Sequence, residues 1–462
     1  MRSFWLEQAL AEEGNPQPLP PLDGDRRVDI AIVGGGYTGL WTALELKSRD
    51  PSLDIVVVEK DICGAGGSGA NAGMLVSMWV SFGMLEHLAG TEEALRTCKA
   101  SVTAIDEIRA FAHAHQIDLG WLDGGCIWGA TCEAQSGHWH SAIDGLQKYG
   151  IDLYDPLTGA DIERLTGSPN FVAGVLDRSN AMIQPARLVR GMRRVALEKG
   201  IVVHEGTRMT RLGRGKPPSV VTPTGTITAR KIILGTYAWS LAIPELRPGV
   251  MVMCTDGLVT EPVPHSAASP DFASVPGMVD SRVFISSYRL TTDRRIGITK
   301  SGGKLPYGAE IDAARRNGPR RPLAELREVL GMYQPKLANL PIAGTWAGPI
   351  DRSKDGLPLF GRLPGHRDIL YGYGYSGSGV VPSKLGAKML ASLALDAKDE
   401  WATAALVRPP LRGFPPEPFR YIGAHAVRAA IERKDRLDHE GRAAGPITRA
   451  LYALKPASYK PA

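Results

Sequence analysis

Residues 28 to 59 read VDIAIVGGGYTGLWTALELKSRDPSLDIVVVE, and this stretch decides the fold. Val28 to Val33 is an apolar run of strand length, and Gly34-Gly35-Gly36-Tyr37-Thr38-Gly39 is a turn. A helical pattern opens at Leu40, and a second apolar strand, Ile55 to Val58, ends in Glu59 with Lys60 beside it. In such a βαβ unit Gly34 permits the tight turn, Gly36 lets the backbone approach a pyrophosphate, and Gly39 lets helix and strand pack closely. Tyr37 and Thr38 sit at the helix N-terminus, whose free N–H groups and partial positive charge suit phosphates. Glu59 stands about 20 residues beyond the glycines, where a carboxylate can accept hydrogen bonds from a ribose. A glycine turn alone would say little. Strand, helix, second strand and acid together point to a bound dinucleotide rather than an empty turn.

The bulk numbers fit an enzyme. A chain of 462 residues allows two or three domains, and 44% apolar with 22% charged residues is a globular composition. The formal net charge of +6 gives a modest attraction for anions, and the scattered basic residues make no case for nucleic acid. Met1 to Pro20 carries Glu7, Glu12 and Glu13 and lacks the apolar centre of a signal peptide. No run of 18 apolar residues predicts a membrane span. Five cysteines (Cys63, Cys98, Cys126, Cys132, Cys254) form no CxxC and suit a reducing cytoplasm, each as a small buried side chain. His113 with His115 and His138 with His140 lack a third ligand at a suitable interval, so no metal is expected.

Along the chain, residues 1–26 read as an N-terminal arm, extended through Pro16, Pro18, Pro20 and Pro21. Trp121 to Thr131 has strand-pair composition, Ala186 to Lys199 is helical, and Thr224-Gly225 is a hairpin turn. Val250 to Thr299 alternates in short, turn-punctuated segments typical of an antiparallel sheet, and Lys384 to Leu395 is an amphipathic helix. The fold class is therefore α/β plus antiparallel β: a discontinuous Rossmann-like nucleotide domain (27–118, 169–235 and 342–400) with an inserted, mostly antiparallel substrate domain (119–168 and 236–341). Residues 401–462 form a C-terminal extension with one helix, Ile422 to Leu437, read as docked rather than membrane-bound.

That itinerary, with its motifs, resembles the D-amino acid oxidase family of FAD-dependent amine and amino acid oxidoreductases, over roughly residues 27 to 400. Beside the βαβ unit, Gly66-Gly67-Ser68-Gly69-Ala70-Asn71-Ala72-Gly73 is similar to the family's GASGRNGG loop. Ala229 to Ser240 (ARKIILGTYAWS) is similar to its strand-and-turn segment, and Trp346 to Pro358 followed by Tyr371 to Val380 (YGYGYSGSGV) to its closing loop. The resemblance implies FAD, with Gly67, Ser68, Asn71, Ala72, Gly73 and Met74 beside the pyrophosphate and ring. It places Gly235 and Trp239 at the nucleotide, Met209 at the adenine edge, and Gly374, Gly377, Ser378, Gly379 and Val380 at the ring's N1–C2=O edge. Backbone N–H groups between a strand and a helix there would stabilise negative charge on a reduced flavin.

Departures from the family pattern carry information. Ala70 stands where several relatives carry a histidine or arginine, Ser378 stands where the family has a histidine, and no cysteine lies between Trp346 and Tyr371, so the FAD is expected to be non-covalent. Isoleucine, Ile350, stands where amino acid oxidases of the family carry an arginine that forks the substrate α-carboxylate. Tyr288-Arg289-Leu290-Thr291 looks most like the γ-glutamylputrescine oxidase branch. Tyr288, Trp346 and Ser378 are the candidate catalytic residues, and Tyr288, Arg289 and Arg352 the candidate substrate contacts. Lys300 is out of register with the oxygen-activating lysine of sarcosine oxidase, which leaves oxidase and dehydrogenase both open.

The resemblance implies oxidation of a C–N bond: hydride passes from the amine carbon to flavin N5, and the imine then hydrolyses. The expected substrate is a small primary or secondary amine with a remote anionic group, such as a γ-glutamyl amine or an aminophosphonate. O2 or another acceptor takes the electrons, and the oligomeric state stays open. Two alternatives stand beside this: an α-amino acid oxidase or dehydrogenase of glycine, sarcosine or D-amino acid type, and a non-catalytic flavin-binding subunit of a heteromeric complex.

Overall fold

The computed structural model describes residues 2–265, 274–316 and 318–456. Its first layer is an eight-stranded sheet built on the opening motif. Arg26–Val33 runs parallel to Ile55–Val58 on one side and to Thr226–Leu234 on the other, with Ile32 opposite Val57 and Ile233. Val202–His204 extends the sheet beyond Ile55–Val58. His366–Tyr373 lies parallel beside Thr226–Leu234, and Leu359–Leu363 closes that edge antiparallel. The central strands are apolar on both faces because both are covered, as a parallel sheet requires. Helices Tyr37–Arg49, Thr91–Ala114, Pro185–Glu198 and Val380–Ala394 bury Leu40, Ile105, Met192 and Leu385 against one face. Leu241, Ile243, Val250 and the ring of Tyr371 cover the other.

The second layer is an eight-stranded, mostly antiparallel sheet. Its order is Ile342–Arg352, Met251–Thr260, Ile296–Lys300, Ser286–Leu290, Gly277–Asp280, Cys126–Ala130, Ala173–Asp177 and Tyr154–Thr158. One face packs on helix Leu323–Tyr333, through Ile127, Leu176, Met278, Tyr288, Ile298, Leu326 and Tyr333. The other face turns toward the first layer. Two strands assigned by sequence to the nucleotide domain, Ala173–Asp177 and Ile342–Arg352, pair in this second sheet instead. Both border a crossing between layers, where an apolar strand has no feature that names its sheet. Trp121 to Thr131 supplies one strand, Cys126–Ala130, and only an isolated bridge at Leu122.

The ends of the chain also differ from expectation. The arm is extended only around its prolines, because Phe4–Glu12 is a helix capped by the Ser3 side chain on Leu6 N–H. Trp5, Leu6, Ala9 and Leu10 form one buried stripe at helical spacing. Trp5 meets Trp346 edge-on at 5.7 Å, and Gln184 donates to the Trp5 carbonyl at 2.8 Å. Among its described residues the extension carries two helices rather than one, Phe419–His439 and Pro446–Ala453. The first docks through Ile431 on Met253 and Phe284 and through Glu432 on Arg320 at 2.6 Å. Among the described residues, no helix is long and apolar enough to cross a membrane.

Candidate active site

Between the two layers lies a cavity of about 590 Å³. Three stretches of its wall come from the first layer and its loops, and a fourth from the second sheet. The first is set by the end of strand Ile55–Val58, where Glu59, Lys60, Met209 and Trp239 line the space. Glu59 accepts Gly35 N–H at 2.8 Å on one oxygen and Asp61 N–H at 3.0 Å on the other, and burial pushes its carboxyl above the usual value. Lys60 Nζ sits 3.9 Å over the Trp239 ring and pairs with Asp312 at 2.6 Å.

The second stretch is the glycine turn. Gly34, Gly36, Tyr37 and Thr38 line the cavity with Gly67, Ser68, Asn71, Ala72 and Met74 of the following loop, and with Gly235. Gly34 has φ +115°, a conformation only glycine adopts without strain, and its turn crosses the Gly235 carbonyl so closely that a Cβ would overlap it. Gly39 lies behind the turn; a Cβ there would overlap the Gly34 carbonyl, which is the close packing its position requires. Ser68 Oγ accepts Tyr37 N–H at 2.8 Å. Asn71 fixes the loop by donating to the carbonyls of Gly67 and Ser68 and accepting Gly73 N–H at 2.7 Å. Gly73 itself faces the Ile183 carbonyl and Arg289, away from the cavity.

The third stretch is the loop into helix Val380–Ala394. Gly377, Ser378, Gly379 and Val380 line the cavity, and Gly374 stands behind them with φ +83°. Asp351, fully buried, holds this loop: its carboxylate accepts Gly374 N–H and, at 3.0 Å, Tyr375 N–H, while its carbonyl accepts Ser376 N–H at 2.8 Å. Burial drives this carboxyl well above the usual carboxylate range, against the pull of those N–H donors. Thr38 Oγ1 and Tyr375 OH, 2.6 Å apart, tie the two glycine loops together.

The lining fits FAD. Helices Tyr37–Arg49 and Val380–Ala394 both open into this one cavity from a glycine N-cap, Gly36 and Gly379, and of the first-turn N–H groups Tyr37 N–H is taken by Ser68 Oγ. The remaining donors suit two separate electron-rich groups, a diphosphate at Gly34 to Thr38 and a ring edge at Gly377 to Val380.

The remaining wall is the inner face of the second sheet, and here the sequence-based assignments need correction. Cys126, Trp128, Val279, Ser287, Thr299, Thr255, Gly348, Ile350 and Arg352 face the cavity. Tyr288, one residue from Ser287, points through the sheet into the opposite core and stacks on Tyr333 at 5.6 Å. It does not cage a ligand. Arg289 is buried beneath the Gly66–Gly73 loop, donating to the carbonyls of Ala72 and Ile183, and is a strut rather than a substrate contact. Trp346 is also behind the wall, its Nε1 donating to the Ala70 carbonyl at 3.0 Å. Lys300 turns away, its Nζ donating to the Phe284 carbonyl at 2.6 Å. Of the proposed reaction-end residues, Arg352 and Ser378 line the cavity. Tyr237, Tyr375, Tyr154, Asp177 and Asn180 line it too, and none was singled out from sequence. Tyr237 and Tyr375 could have been, since they lie inside the ARKIILGTYAWS and YGYGYSGSGV segments. Tyr154, Asp177 and Asn180 carry no local signal.

Among the described residues no group of three or more His, Cys, Asp or Glu could hold a metal ion. Residues 29–393 match the family described as DAO, FAD dependent oxidoreductase. Gamma-glutamylputrescine oxidoreductase of Escherichia coli (strain K12) is 29% identical over 387 residues, covering 81% of this chain and 85% of that protein. Probable oxidoreductase OrdL of Rhizobium meliloti (strain 1021) is 28% identical over 408 residues, covering 86% and 89%. The crystal structure of glycine oxidase from Geobacillus kaustophilus shares the fold with a TM-score of 0.68 at 18% identity, covering 84% of this chain and all of that one. With a family match running from the first strand to the end of helix Val380–Ala394, over a cavity shaped for its cofactor, this chain belongs to the DAO family and is an FAD-dependent oxidoreductase.

Proposed function

We propose that the protein oxidises the C–N bond of a small primary or secondary amine that carries an anionic group away from the reacting carbon, of the γ-glutamyl amine or aminophosphonate kind. The observation that carries this reading is the inner face of strand Ile342–Arg352. Gly348, Ile350 and Arg352 face the cavity at period two, so the cation stands two residues, roughly 7 Å, beyond the position occupied by isoleucine. An anion met by Arg352 is displaced by that distance from the place where an α-carboxylate would be forked. Similarity to gamma-glutamylputrescine oxidoreductase supports the same substrate class.

FAD held along the two glycine loops would supply a hydride acceptor for the amine-bearing carbon, and water would hydrolyse the resulting imine to a carbonyl compound and ammonia or an amine. The chain supplies the surroundings. Trp128, Val279, Ile350 and Val80 exclude water and favour the neutral amine. The uncapped N-terminus of helix Val380–Ala394, held by Asp351, favours negative charge at the ring edge. Side-chain acid–base work is small in such a site; orientation does most of it. No histidine lines the cavity among the described residues, in keeping with non-covalent attachment. The five free cysteines suit a reducing cytoplasm.

Arg352 also keeps a second reading alive, oxidation of an α-amino acid whose carboxylate it would fork. Anaerobic addition of amines with and without an α-carboxylate, followed at the flavin absorbance band, separates the two. The amine reading is wrong if glycine or D-alanine bleaches the flavin faster than every amine lacking an α-carboxylate. A flavin that no amine bleaches would instead favour a non-catalytic subunit.

A further inference from the structure

The deeply buried acids of the second layer have company. Asp280 pairs with Arg282 and Asp256 with Arg321, while Asp351 receives backbone N–H groups. In the first layer Glu205 pairs with Arg190 and Arg193. Asp177, like Asp351, is held by hydrogen bonds alone, from Ser179 and the Asn180 side chain, and forms no ion pair among the described residues. It is 5% exposed and lines the cavity at the far end of the second sheet from Arg352. Ser179 donates to its Oδ1 from the backbone at 2.9 Å and from the hydroxyl at 2.6 Å. Burial raises the carboxyl above its usual value, against those donors.

Strand register gathers a polar group around it. Asp177 lies opposite Tyr154 on one neighbour and opposite Cys126 on the other, and all three residues line the cavity. Directly opposed side chains on one sheet face have Cβ atoms about 5 Å apart. Tyr154 is 7% exposed and its hydroxyl, fully buried, has no hydrogen-bond partner among the described residues. Asn180 lines the same corner, its Oδ1 accepting Ser77 N–H at 3.1 Å. Trp128, on the Cys126 strand, adds an aromatic surface. A buried carboxylate without a counter-ion and a buried hydroxyl without a partner are both costly in a closed protein. An ammonium group, which has three donors and one positive charge, would satisfy both.

We propose that the corner formed by Tyr154, Asp177 and Asn180 is a subsite for a second cationic nitrogen of the substrate, distant from the carbon that is oxidised. This rests on the amine reading above but does not depend on the anion at Arg352. It makes chain length a determinant: the amine must be long enough to reach both the ring and this corner.

The test uses anaerobic holoenzyme and calorimetry. The probes are 1,4-diaminobutane, 1,6-diaminohexane and 1,8-diaminooctane, each against the n-alkylamine with the same number of non-hydrogen atoms. At least one diamine is expected to bind tenfold or more tightly than its alkyl counterpart. Asp177→Asn should reduce that ratio below threefold, and Tyr154→Phe should reduce it by a smaller factor. The proposal is overturned if no diamine outbinds its counterpart in the wild type, or if the preference survives Asp177→Asn. The wild-type series decides the first point even if a variant does not fold. Because binding is read without turnover, a flavin that no amine bleaches would refute the amine reading separately.

Discussion

Trp346 lies behind the cavity wall, yet it is expected to govern FAD retention, and Gly257→Ala is the way to move it. A Cβ on Gly257 would lie 2.5, 2.7 and 2.8 Å from three atoms of the Trp346 indole. Carbon contacts of this kind need more than 3 Å, so the ring must shift by at least half an ångström. It has nowhere to go: Trp346 is 2% exposed and braced by Trp5. Overpacking of this sort costs about 1–3 kcal/mol. The shift also pulls Nε1 from the Ala70 carbonyl, a buried hydrogen bond worth about 0.5–1.5 kcal/mol. Ala70 sits between Ser68 and Asn71 in the loop that lines the cavity, so its displacement should weaken FAD about tenfold, near 1.4 kcal/mol. Urea unfolding and fluorescence titration of apoprotein with FAD measure the two effects. Gly423→Ala is the control: it lies in helix Phe419–His439 with nothing within 4 Å, and should stabilise by about 0.5–1 kcal/mol. Adding Trp346→Phe to Gly257→Ala should relieve part of the overlap, giving a non-additive double mutant. Wild-type stability and wild-type FAD affinity in Gly257→Ala would refute the reasoning.

Three further outcomes are expected. Glu205→Gln leaves Arg193 facing a neutral amide, while Arg190 keeps Glu13 at 2.7 Å, so unfolding free energy should fall by about 3 kcal/mol. Burial pushes the Glu205 carboxyl up, but N–H donors from Cys63 and Leu19 and the Arg193 guanidinium outweigh it and hold it below 4.5. A folded pKa below the unfolded one means its stabilisation is present above pH 4.5 and lost as pH falls; acid titration of wild type should show that loss and Glu205→Gln should not. Asp351→Asn turns an amide NH2 toward Gly374 or Tyr375 N–H, costing about 1–3 kcal/mol, read as a lower unfolding midpoint and a less positive flavin reduction potential. Arg352→Ala should raise KM for anionic amines at least tenfold and leave n-alkylamine KM within threefold, measured by flavin bleaching.

How much of this was legible follows from which constraints are local. Gly34, Gly36 and Gly39 were readable because each answers to atoms within the same βαβ unit, and Glu59 because its distance from them is fixed by one helix and one strand. The ring-edge loop was readable for the same reason. Tyr288 and Arg289 were misread because strand Ser286–Leu290 is buried on both faces. Alternation gives a phase only when one face meets water; here nothing in SSYRL says that Ser287, not Tyr288, looks inward. Asp351 and Asp177 were missed because their partners lie on other strands or loops: Asp351 serves a loop 23 residues on, and Asp177 matters through Tyr154 and Cys126. The helix Phe4–Glu12 was masked by the prolines after it, and its stripe is too short to stand out without Trp346 against it.

That helix sets an order of events in synthesis. Phe4–Glu12 leaves the ribosome before the segments it docks on, Pro185–Glu198 and Trp346, and until they emerge Trp5 and Leu6 have no lasting cover. A nine-residue helix does not hold its shape alone. The nascent chain therefore carries a sticky, unstructured leader through most of translation, and the last third of the message supplies what shields it. Chaperone engagement at this segment, and poor yields from C-terminal truncations ending before Trp346, follow directly.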